Sequence, residues 1–238
     1  MSQELRDTTV LVIGRGGGIA RATALAARAA GARVVVAGRD QGTLSAAYDD
    51  PGITAERVDV TDEGSVEALA ERLGEVDHIV STASARARGL VGDLAQDTVR
   101  LSFDVKVIGP MLLAKHFKGR IRDGGSLTVL SGSSARKPVP GMLAVAATNA
   151  AADAVVQALA VELAPVRVNA VSPGTIDTGA YDALGEEKKA GLFADRAARN
   201  PARRIGTAED VAGAALFAMT NTFLTGASLP LDGGEPLV

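Results

Sequence analysis

Gly14-Arg15-Gly16-Gly17-Gly18 stands between a short apolar run, Val10-Leu11-Val12-Ile13, and an alanine-rich segment from Ile19 to Ala30. The chemistry open to such a turn is the binding of phosphate. Glycines admit the backbone to a pyrophosphate without a Cβ in the way, and a helix that starts there adds free N–H groups and positive dipole. Gly31 closes the segment, and a second apolar run, Val34 to Ala37, ends in Gly38-Arg39-Asp40. The whole is a strand–turn–helix–strand unit of the size a dinucleotide-binding crossover needs. A glycine-rich connection that binds nothing is the competing reading.

The elements that must position this turn repeat along the chain. Strand-length runs at Ile53–Val58, Val76–Ser81, Ser126–Ser131 and Val166–Val171 alternate with helical patterns. Those patterns start near Asp62 and run over Leu94–Phe117 and Met142–Leu163. Strands separated by helices imply a parallel sheet covered on both faces, with ligands gathered at the strand C-termini. No linker or repeat divides residues 1–238, so one α/β domain is expected. Lys115, His116, Lys118, Arg120 and Arg122 read as a solvated helix end. His78, inside a strand, and His116, at a helix end, are not placed as catalytic.

Bulk composition removes several function classes. The 238 residues carry a net charge of −3 with no long basic tract, which gives no support for nucleic-acid or anionic-membrane binding. With no cysteine, disulfides, thiolate metal sites and cysteine nucleophiles are excluded, and no metal site is expected. No apolar run approaches the ~20 residues of a membrane span, and the polar start lacks a signal-peptide pattern. A soluble cytoplasmic protein is the expectation.

Further motifs carry a resemblance. Gly14-x-x-x-Gly18-Ile19-Ala20 resembles the Gly-xxx-Gly-x-Gly turn of the short-chain dehydrogenase/reductase family, with alanine at the last glycine. Asp59-Val60 resembles that family's adenine contact, and Ser81-Thr82-Ala83-Ser84 stands where the family has Asn-Asn-Ala-Gly. Arg167 to Thr178, with Pro173, Gly174, Ile176 and Thr178, is similar to the segment beside the nicotinamide. Leu224-Thr225-Gly226 and Leu231-Asp232-Gly233-Gly234 match the closing strand and turn. The resemblance implies a Rossmann-type, doubly wound sheet of seven mainly parallel strands, with the dinucleotide across their C-termini. It implies cofactor contacts at Gly14, Arg15, Gly16, Gly17, Gly18, Ile19, Asp59, Val60, Ala83, Ser84, Pro173, Gly174, Ile176 and Thr178. A homodimer or homotetramer is also implied, together with a substrate lid over Gly179–Ile205, for which a plain surface helix pair is the alternative.

The second strand ends in Gly38, not in the acid that binds the ribose 2′-hydroxyl in NAD sites. Arg39 follows, where a 2′-phosphate is commonly held, and a charge-assisted hydrogen bond there contributes ~1.5–3 kcal/mol, a tenfold preference or more. Arg15 is either a second cation for that phosphate or a solvent-facing loop residue. Gly17 stands where NADP-preferring relatives often carry a basic residue. Asp40 reads as the cap of the next helix. NADP(H) is therefore the expected cofactor.

At the catalytic positions the chain departs from the pattern it resembles. Register places Val145 at the family's tyrosine, Asn149 at its lysine four residues later, and Gly132 at its serine, with Ser131, Ser133 and Ser134 nearby. Lys106 stands where the family has an asparagine on the long helix, as if lysine and asparagine had been exchanged. Lys106 either puts its ammonium in the missing lysine's place, opposite Asn149, or snorkels to solvent. Tyr181, at the lid root, is either a substitute proton donor or a packing residue. Tyr48 is placed in the helix after the second strand, as packing. Arg86, Arg88, Arg136 and Lys137 flank the rim as anchors for an anionic substrate or as solvated loop charges.

Two functions follow. One is an NADP(H)-dependent oxidoreductase moving hydride between nicotinamide and a small carbonyl or alcohol substrate, using Ser131, Lys106, Asn149 and Tyr181. The other is a catalytically inactive NADP(H)-binding protein that acts as a sensor or structural subunit.

Overall fold

The computed structural model describes residues 4–238. Its strands are β1 (Thr9–Ile13), β2 (Arg33–Gly38), β3 (Ile53–Arg57), β4 (Val76–Ser81), β5 (Ile121–Leu130), β6 (Arg167–Pro173) and β9 (Ser228–Leu231), with a minor pair β7 (Ile176–Asp177) and β8 (Gly206–Thr207). The seven form one sheet in the order β3-β2-β1-β4-β5-β6-β9, and every pairing is parallel. Chain direction across the sheet reverses between β1 and β4, so a crevice opens beyond their C-terminal ends.

Helices α1 (Gly18–Ala29) and α8 (Ala208–Thr220) cover one face through Ala24, Ala27, Ala215 and Met219. Helices α3 (Glu63–Leu73), α5 (Gly109–Phe117) and α6 (Leu143–Glu162) cover the other through Leu69, Leu113, Phe117 and Val156. Short α2 (Gln41–Ala46) follows β2, and Asp40 caps it by accepting from the Thr43 amide at 2.9 Å. Tyr48 lies just past the end of that helix, half-buried against the α1 layer. Helix α6 is long and apolar enough to cross a membrane by length and composition, contrary to the reading of the apolar runs. Here it is a core helix, burying Val145, Asn149, Ala152 and Val156 on its inner side.

The stretch expected as one helix over Leu94–Phe117 is built in three parts. Helix α4 (Gln96–Phe103) runs into a wide π turn, Asp104–Ile108, which runs into α5. The extra residue in that turn leaves Lys106 and Val107 both facing inward, and Lys106 is 6% exposed. Where α5 begins, Gly109 lies so close to β3's extension that a Cβ would stand 3.2 Å from that of Val60.

Two polar side chains belong to the framework. Arg167 is buried and donates to the carbonyls of Ala218 and Met219, each at 2.6 Å, and of Asn221 at 2.9 Å, closing the C-terminal end of α8. His78 meets Ser126 across the β4–β5 pairing at 2.9 Å. Burial, reinforced by the Arg167 charge, pushes the His78 pKa down to about 4, so its imidazole is neutral at pH 7. Lys115 and His116 are not simply solvated, because both reach Glu63 at the start of α3.

Candidate active site

The glycine turn closes against the loop after β4. Thr82 donates to the carbonyl of Ile13 twice, through its amide at 2.8 Å and its hydroxyl at 2.9 Å. A Cβ on Gly14 would overlap the Thr82 hydroxyl and stand 2.8 Å from the Ala20 methyl, so this position requires glycine. Gly18 adopts φ +54°, and a Cβ there would lie 3.2 Å from the Thr178 carbonyl oxygen. Helix α1 starts at that residue with no side chain capping it and no acid in its first turn. Free amides, a backbone open to close approach and no negative charge are what a pyrophosphate needs, so the residues present fit a dinucleotide.

Arg39 and Arg15 are exposed, and neither forms an ion pair among the described residues. Gly38 presses on the glycine turn: a Cβ there would stand 2.6 Å from the Gly14 carbonyl oxygen. Partial burial raises the Asp59 pKa. Hydrogen bonds from the Thr61 hydroxyl and amide, at 2.7 and 3.0 Å, and the attraction of Arg39 and Arg57 outweigh it and hold the carboxyl below its ordinary value. Arg39 and Asp59 thus share one corner of the crevice, and Val60 beside them is buried.

On the other side of the crevice, Pro173 ends β6 and Ile176 is buried in β7. Between them, Thr175 is held by Glu235, whose carboxylate accepts from its amide at 2.9 Å and its hydroxyl at 3.2 Å. Arg196, on helix α7 (Glu186–Arg199), donates to that same hydroxyl and lies 3.7 Å from Glu235. Lys189 of α7 pairs with Asp177 at 2.9 Å and with Asp182 at 2.7 Å. Helix α7 itself buries no residue, and Gly179 and Gly185 before it take φ of +79° and +80°. A cavity of about 280 Å³ lies at its root between Thr175, Asn200, Arg204 and Leu231, away from Lys106.

Lys106 does not snorkel. Its ammonium donates to the Ser131 carbonyl at 3.0 Å and to the Asn149 amide oxygen. Burial, then the nearby Arg86 charge, push its pKa down to about 7, with Asp153 pulling the other way. Ser131 is 5% exposed and its hydroxyl donates to the Asn149 carbonyl at 3.1 Å, so that hydroxyl is committed to α6 and not to the crevice. The Asn149 amide nitrogen donates to the Ser134 hydroxyl at 2.7 Å. Val145, one turn earlier on α6, is buried. Tyr181 packs its ring edge-on to Phe193 of α7, with centroids 5.3 Å apart, so its ring is engaged with that helix.

Ala83 is half-buried and Ser84 exposed at the mouth between these two halves. Of the rim cations, Arg136 pairs with Asp232 at 2.5 Å and Lys137 donates to the Glu235 carbonyl at 2.9 Å. Arg86 and Arg88 form no ion pair among the described residues. Sequence reasoning missed Thr82, Arg196 and Glu235, whose roles come from contacts over long separations. The threonine in the Ser81–Ser84 tetrad is the one local signal among them.

A family model described as "Enoyl-(Acyl carrier protein) reductase" matches residues 14–235. The short-chain dehydrogenase/reductase ucsE of Acremonium sp is 32% identical, over 98% of this chain and 97% of that protein. A solved small-chain dehydrogenase in complex with NADPH is 32% identical, with a TM-score of 0.82 over 97% of this chain and 99% of that one. The MalC reductase/Diels-Alderase of Malbranchea aurantiaca superposes with a TM-score of 0.91 at 28% identity, over 99% of each chain. With the sheet order, the glycine turn and these matches in agreement, the chain belongs to the short-chain dehydrogenase/reductase family.

Proposed function

We propose that this protein is an NADP(H)-dependent oxidoreductase acting on a small carbonyl or alcohol through a rearranged active site. The observation that carries the reading is the buried ammonium of Lys106, held against Asn149 and Ser131 at the same sheet edge as the glycine turn. Gly14 to Ile19 would hold the pyrophosphate, Arg39 the 2′-phosphate, Asp59 and Val60 the adenine side. Pro173, Gly174, Ile176 and Thr178 would hold the nicotinamide side. When bound, the reduced cofactor supplies a hydride.

The chain's own groups supply position and field. With a pKa of about 7, Lys106 is charged in a large share of molecules at neutral pH, and that charge favours negative charge on a substrate oxygen. Arg86 adds a second cation to the same region. With Tyr181 packed on its Phe193, helix α7 would cover the site and limit water. Losing the usual general acid costs ~10²–10⁴-fold in rate. Orientation still supplies effective molarities of ~10⁵–10⁸ M, which suits quinones and activated carbonyls.

The second reading, a cofactor-binding protein without turnover, is favoured by buried Val145 and the committed Ser131 hydroxyl. The deciding experiment pairs NADPH binding, followed by fluorescence, with NADPH oxidation against aldehydes, ketones, quinones and imines. Oxidation with any of them supports the enzyme. Tight binding with no oxidation supports the sensor.

A further inference from the structure

The hydrogen-bond chain that starts at Lys106 has a fixed direction. An ammonium only donates, so the Asn149 side chain must face it with its oxygen, as it does. Its amide nitrogen is then forced outward, and it donates to Ser134 Oγ at 2.7 Å. Ser134 Oγ is thereby made an acceptor from behind, and its own O–H must donate elsewhere. Among the described residues it donates to nothing.

The neighbouring serine has no such freedom. Ser131 Oγ donates to the Asn149 carbonyl and is buried, whereas Ser134 is half-buried in the turn Ser133–Ala135 that follows β5. Gly132 between them has no room for a side chain: a Cβ there would stand 2.6 Å from the same Asn149 nitrogen that Ser134 meets. The Asn149 amide therefore fills the side-chain position of Gly132 and presents its nitrogen to Ser134 there.

We propose that Ser134 Oγ–H, not Ser131 Oγ–H, is the hydroxyl that hydrogen-bonds to the reacting oxygen of the substrate, oriented by Lys106 through Asn149. The inference rests on the oxidoreductase reading above. Ser134 keeps its proton in this role. It stabilises an oxygen that is gaining negative charge, and a hydrogen bond to a charged acceptor is the strong kind.

The test uses benzoate as a mimic of an oxyanion, titrated by calorimetry into protein saturated with NADP⁺. Ser134→Ala is expected to weaken benzoate by about tenfold or more, the loss of one charge-assisted hydrogen bond. NADPH affinity should stay within about twofold, Ser134→Thr should restore benzoate binding, and Ser133→Ala should leave it unchanged. Equal benzoate affinity in native and Ser134→Ala protein, absence of binding to both included, would overturn the proposal. A native protein that fails to bind NADPH at all would instead overturn the oxidoreductase reading.

Discussion

The amide oxygen of Asn149, on α6, accepts a hydrogen bond from the buried ammonium of Lys106, in the π turn between α4 and α5. One cation and one neutral amide fill a space with room for a single charge. Asn149→Lys puts a second ammonium there and is expected to destabilise the fold by about 3–5 kcal/mol, the scale of an uncompensated buried charge. Adding Lys106→Asn should recover most of that loss. Urea unfolding of the two single variants and the double variant gives the coupling directly.

Lys106 also makes stability depend on pH in a definite direction. Below about pH 7 both folded and unfolded chains carry its proton, and the full cost of burying the ammonium is present. Between about 7 and the ordinary 10.5 the folded chain releases the proton while the unfolded chain keeps it, so this residue's contribution becomes more favourable as pH rises. The stability of the native chain minus that of Lys106→Met should therefore grow by roughly 2–3 kcal/mol from about pH 6 to about pH 9. Arg86→Ala removes a charge that lowers this pKa and should move the onset upward, with Asp153 still acting in the same sense.

Gly132→Ser is expected to cost about 1–3 kcal/mol, the range for overpacking. The new Cβ would stand 2.6 Å from an Asn149 nitrogen that cannot swing away without giving up Ser134 and Lys106. Its backbone, at φ 169°, is extended and admits any residue, so the cost is contact and not strain. Thermal melting of Gly132→Ser and Gly132→Ala should show a similar drop, since the clash begins at Cβ.

Arg39→Ala should weaken NADPH binding about tenfold or more while leaving NADH unchanged, because only the former offers a 2′-phosphate. Gly14→Ala should abolish binding of both, since its methyl would displace Thr82 from the turn. Fluorescence titration of each cofactor separates the two effects.

The strands and the glycine turn were legible because buried parallel strands are short apolar runs and because a glycine cluster between a strand and a helix is a local pattern. Asp40 was legible as a cap for the same local reason. The π turn was not. It adds one residue to a helix without altering the apolar pattern enough to show, so Leu94–Phe117 reads as a single helix. Which serine hydroxyl is committed to α6 was equally hidden. Ser131 and Ser134 differ only in how the turn after β5 rotates them, and that rotation depends on Asn149, fifteen or more residues away. The ties of Arg196 and Glu235 to Thr175 span separations of 21 and 60 residues, which no local spacing reveals.

Those last ties have a mechanical consequence. The Thr175 hydroxyl is shared by Arg196, on α7, and Glu235, in the turn after β9. Lifting α7 at its C-terminal end pulls one of the two ropes on the loop between Pro173 and Ile176. Thr175 thus couples α7 to the last turn of the described chain: a displacement of α7 at Arg196 is transmitted to the loop between Pro173 and Ile176, and through Glu235 to the segment after β9.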